Sequence, residues 1–185
     1  MTTTTATGRT VATSGAIRNG ATLMAVAAAG FIGYAVLFLV RNFTNSFLEL
    51  GIGPKEVDVS KDQIQQFSPS LYHYISHLHL AVSGFIAATG LAVLLLALYG
   101  VRSGQVWAWV AAVAAPVLAL AIALPAHYPW HLDTLGHLGL IYLATLVFVV
   151  GALLSGKGLL DVRRTTGSFE RHLTSGSSRQ PQITA

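Results

Sequence analysis

Residues 69–99 read PSLYHYISHLHLAVSGFIAATGLAVLLLALY, without one Lys, Arg, Asp or Glu. Ser68 and Pro69 supply a helix start, with serine as N-cap and proline at the first helical position. No breaker follows until about Tyr99. Such a run makes a helix of roughly 30 residues, about 45 Å long at 1.5 Å per residue, whereas a bilayer core needs only about 20. The first turns, LYHYISHLH, are therefore expected at or above one membrane interface.

Three similar runs surround it. The sequence predicts membrane helices over about 20–41, 69–99, 106–125 and 134–155. The expected fold is an all-α integral membrane protein, a four-transmembrane-helix bundle with both termini cytoplasmic. Residues 1–19 read as a flexible cytoplasmic tail, 20–156 as the membrane domain and 157–185 as a basic cytoplasmic tail. The first run follows Arg9 and Arg18 as a signal peptide would, but it is too long for an ordinary signal core and lacks a small-residue cleavage site after it. We read it as an uncleaved helix.

Composition agrees. The chain has 185 residues, 53% hydrophobic and 10% charged, against about 25% charged in soluble domains. Cysteine is absent, which removes disulfides, thiolate metal sites and iron–sulfur ligation. The net charge of +4 has a topological cause. Arg9, Arg18, Arg102, Lys157, Arg163, Arg164, Arg171 and Arg179 fall on one side, Arg41, Lys55 and Lys61 on the other. The positive-inside rule places the first side in the cytoplasm, and the expected location is the plasma membrane. Partners are then lipid and other membrane subunits, not nucleic acid. No charge falls deep in a span, which argues against a proton-coupled pump. Gly30, Gly33, Gly84, Gly90, Gly136 and Gly139 suit close helix packing. Trp107, Trp109 and Trp130 suit the interface. Ser60 and Gln63 form a capping-box pattern.

Six histidines carry the functional lead. His73, His77 and His79 open the second helix; His127, His131 and His137 flank the third connection, with Asp133. The topology brings both windows to the extracytoplasmic side. His73 and His77 share a helix face at i, i+4, and so do Asp133 and His137. His79 points roughly 200° from His77, so one helix cannot aim all three at one centre. Imidazole and carboxylate without sulfur suit copper, zinc or non-haem iron. The expected metal set is His73, His77, His79, His127, His131, Asp133 and His137. The chain then reads as a small membrane subunit of a larger redox complex binding copper or another divalent metal. Two alternatives remain. One is a cofactor-free structural or assembly subunit. The other is an electron-transfer subunit holding haem b, for example between His77 and His137, or a quinone. An enzyme working alone is the lesser expectation.

Asp133-Thr-Leu-Gly-His137 resembles the Asp-x-x-x-His part of the copper site in the C subunit of particulate methane and ammonia monooxygenases. Those proteins add a histidine about three turns on, where this chain has LATLVFVV. The Ala/Val/Gly-rich style also resembles small four-helix membrane proteins of actinobacteria.

Overall fold

The computed structural model describes residues 15–44, 47 and 49–176. Residues 1–14 and 177–185, within the two tails read from the sequence, lie outside that range. The described chain is all helical. Its elements are α1 (Gly15–Asn42), α2 (Pro54–Val57), α3 (Lys61–Phe67), α4 (Pro69–Leu95) continuing through a π-helical segment (Leu96–Val101), α5 (Val106–Ala123) followed by a 3-10 turn (Leu124–His127), and α6 (Leu135–Gly176). Four helices are long and apolar enough to cross a membrane: Gly15–Asn42, Pro69–Val101, Val106–His127 and Leu135–Thr165.

Local chemistry sets the boundaries. Ser60 accepts from Gln63 N while the Gln63 side chain accepts from Ser60 N, the reciprocal capping box. Ser68 caps α4 through Leu71 N, with Pro69 next. Thr134, not Asp133, caps α6: its hydroxyl accepts from His137 N.

α1 is the centre of the bundle. It runs antiparallel to α4, with Asn42 hydrogen-bonded to Ser76 at one end and Gly90 against Ala28 and Ile32 further down. It also runs antiparallel to α6, where a methyl on Gly20 or Gly151 would collide with the facing backbone. The core is built from small residues, including Ala21, Ala25, Ala28, Ala97, Ala108 and Ala112, around Met24, Val93 and Phe148. Small residues let helix backbones approach and so gain dispersion energy that lipid cannot match. The glycines that serve this role differ from the expected set. Gly90 and Gly136 make close approaches, but a Cβ on Gly30, Gly33 or Gly84 would meet nothing within 4 Å.

α6 continues through Gly156 and Gly158, where the sequence suggested an end. Gly156 makes room for the Trp109 ring, and Trp109 donates its indole N–H to Ala152 O at 3.0 Å. Trp109 thus ties α5 to α6, while Trp107 is exposed as an interface residue would be.

The alternation of directions leaves two ends to the bundle. One holds Gly15, the 102–105 turn and the later part of α6. The other holds the 43–68 connection and the 128–134 connection. The functional lead lies at the second end.

Candidate metal centre

The segment after α1 ends in FLELG, residues 47–51. Phe47 is buried against Tyr72 and His79 of α4, with ring centroids 4.8 and 5.5 Å away. That anchor turns the chain back over the bundle. Three successive backbone carbonyls then each accept a side-chain hydrogen bond. Arg41 donates to Glu49 O at 3.2 Å, His137 Nδ1 to Leu50 O at 3.1 Å, and Thr134 Oγ1 to Gly51 O at 3.1 Å. Gly51 has φ +75° and lies against the backbone of Gly136 and His137, where a side chain would not fit. The loop is therefore pinned to the first turn of α6 and delivers the Glu49 carboxylate to His137.

The result is a three-residue cluster. Glu49 Oε2 is 2.9 Å from His137 Nε2. His127 Nε2 is 3.0 Å from the same nitrogen, and the two imidazoles stack with centroids 4.9 Å apart. Ligand atoms of Glu49, His127 and His137 all lie within 4.8 Å of one another. His137 is 2% exposed; Glu49 and His127 are half-buried.

Tautomers follow from the backbone. A carbonyl only accepts, so His137 Nδ1, bonded to Leu50 O, carries a proton. His127 Nδ1 faces Ala123 O at 3.0 Å and Leu124 O at 3.3 Å and carries one too. In the neutral imidazoles both Nε2 atoms are then bare lone pairs. They point at each other and at a carboxylate. His137 Nε2, 2.9 Å from the carboxylate and 3.0 Å from His127 Nε2, needs a cation between such acceptors, either a shared proton or a metal ion. Two ligands about 2.0–2.1 Å from one ion stand about 2.9–3.4 Å apart at ordinary coordination angles. The Glu49–His137 and His127–His137 spacings fit, and backbone carbonyls orienting ligand imidazoles through their other nitrogen are the usual outer support of metal-bound histidine.

Burial alone would push the Glu49 carboxyl up. The hydrogen bond with His137 and the neighbouring His137, His79 and His127 imidazoles outweigh it and hold the carboxyl below its ordinary value of 4.5. The site therefore keeps its anionic ligand charged at neutral pH.

Of the seven residues expected from the sequence, the structure brings His127 and His137 together. His79 is half-buried between Phe38 and Phe47, within electrostatic reach of Glu49 but outside the cluster, with Nδ1 lacking a partner among the described residues. His73 and His77 are exposed on α4. His131 is exposed with a left-handed φ of 56°, and Asp133 is exposed. Neither is part of the cluster. Asp133 precedes the helix cap, so its i, i+4 spacing from His137 does not bring it into the set. The haem alternative draws no support, since His127 and His137 touch directly and His77 faces outward. Glu49 was not among the expected ligands. The signal for it was a lone carboxylate between Leu48 and Leu50, in an apolar stretch where charge has a cost unless it has a partner.

No protein-family profile, curated protein or solved structure matches the chain.

Proposed function

We propose that this chain is a membrane-embedded metal-binding protein in which Glu49, His127 and His137 hold one divalent transition-metal ion at the outer face of the bilayer. The observation that carries the reading is the convergence of one carboxylate oxygen and two imidazole Nε2 atoms, with both rings held through Nδ1 by backbone carbonyls. Two imidazoles and one carboxylate suit zinc or iron(II), and copper(II) with added water ligands. Three protein ligands leave positions open for an exogenous ligand, as metal sites that do chemistry require. The outer location is supported by the charge asymmetry of the sequence. Within the proposal, a redox-active ion would serve a larger membrane assembly, to which exposed apolar residues of α4 and α5 such as Phe85, Val117 and Ile122 are open.

Equilibrium titration of the purified full-length chain with Cu(II), Zn(II) or Fe(II) tests this. One site per chain is expected, lost on H127A or H137A and kept on H73A and H77A. Binding that survives both inner-site variants, or that depends on the exposed histidines, would refute it.

A further inference from the structure

On the membrane side of the cluster lies an apolar cavity of about 240 Å³. Its walls include Phe31 and Tyr34 of α1, Phe85 of α4, Ala123 of α5 and Ile141 of α6. The placement is specific. Ala123 accepts the His127 Nδ1 hydrogen bond, and Ile141 is one helical turn below His137 on the same face of α6. α5 runs toward the site end and α6 away from it, so both imidazoles stand over the same end of the cavity. Both histidines of the triad thus have a neighbour in the cavity wall.

The triad and the cavity complement each other. A three-ligand centre has open coordination positions. The Nδ1 side of His137 is closed by Leu50, and the cavity begins about one helical turn from the two histidines, at Ala123 and Ile141. An occupant that fills both must be lipophilic and carry an oxygen donor at one end. Phe31, Tyr34 and Phe85 offer ring surfaces that favour a flat ring, and the Tyr34 and Thr89 hydroxyls are the polar groups in the lining. The volume is near the small end for ligand sites, which start at about 300 Å³, so it suits a single ring and not a porphyrin.

We propose that the cavity binds a lipid-soluble quinone, with its ring between the aromatic walls and one oxygen directed toward the Tyr34 hydroxyl and the open side of the metal. This rests on the metal reading for the final contact only.

The test uses full-length protein in nanodiscs, a decyl-substituted benzoquinone as probe, and the Cu(II) EPR spectrum of the loaded form. Saturable binding of one quinone per chain is expected, with a changed Cu(II) spectrum. Y34F should weaken it roughly five- to tenfold, the loss of one hydrogen bond. A119F, which fills the cavity, should weaken it at least about tenfold through overpacking. Both variants should keep wild-type copper affinity. Non-saturable uptake, indifference to A119F, or equal displacement by decane would overturn the proposal. Copper bound without quinone overturns this inference and leaves the metal reading standing. Quinone bound with an unchanged copper spectrum overturns the contact with the metal. Quinone bound by a chain that takes no metal removes the metal reading and that contact with it.

Discussion

Replacing Glu49 by glutamine removes one charge and keeps an oxygen at the same reach. The three side-chain hydrogen bonds to the Glu49, Leu50 and Gly51 carbonyls do not involve the carboxylate, so the loop should stay pinned. The lost term is then electrostatic. A unit charge pair at about 4 Å and an effective dielectric of about 20 is worth about 4 kcal/mol. The Glu49 side chain is 37% exposed, so solvent screening trims that figure, while the double charge of the ion raises it. A loss of about 3–4 kcal/mol corresponds to about two to three decades in metal affinity. Chelator-competition titration of wild type and E49Q in the same detergent, with circular dichroism to confirm equal helicity, reads this directly. An E49Q affinity within about threefold of wild type, at equal helicity, would show that the carboxylate is not a ligand.

Four further outcomes are expected. T134V removes the hydroxyl that caps His137 N and holds Gly51 O, and should cost roughly 10–100-fold in metal affinity by loosening the ligand, read in the same titration. G51A places a side chain at φ +75° against the Gly136 and His137 backbone; it should lower the melting temperature and metal affinity together, with the strain alone about 1–3 kcal/mol. Metal affinity should fall as the pH is lowered, because protons compete with the ion for imidazole nitrogen, and H73A with H77A should leave that profile unchanged. Glu49 has a folded-state pKa below its ordinary 4.5, so its contribution to stability is full above that value and lost as pH falls through the lower folded value. Melting curves of the metal-free protein should therefore lose stability below pH 4.5 in wild type and show less of that loss in E49Q.

The four spans were legible because length and hydropathy alone decide them in a bilayer. The end of α6 was not. Gly156 and Gly158 look like a stop, yet isolated glycines weaken a helix by only about 1 kcal/mol each, and Gly156 is the seat of the Trp109 ring. Likewise Gly20 and Gly151, not Gly30 and Gly33, mark the α1–α6 contact. A single sequence shows small residues but not which faces meet. For the site, topology was enough to place His127 and His137 at one end of the bundle. It could not rank the histidines, since exposure of His73 and His77 against burial of His137 depends on how the 47–51 loop folds back. That loop also supplies Glu49, whose approach depends on Thr134 and on a positive φ at Gly51, a residue distant in sequence from the histidines it serves.

X-ray absorption at the edge of the bound metal, on protein loaded with one equivalent, asks how many imidazoles the ion sees. Two imidazole nitrogens and a carboxylate oxygen at about 2.0–2.1 Å, with the remaining positions light exogenous atoms, are predicted. A first shell of water oxygens without imidazole scattering, or one with three or more imidazoles, would contradict the Glu49, His127 and His137 centre.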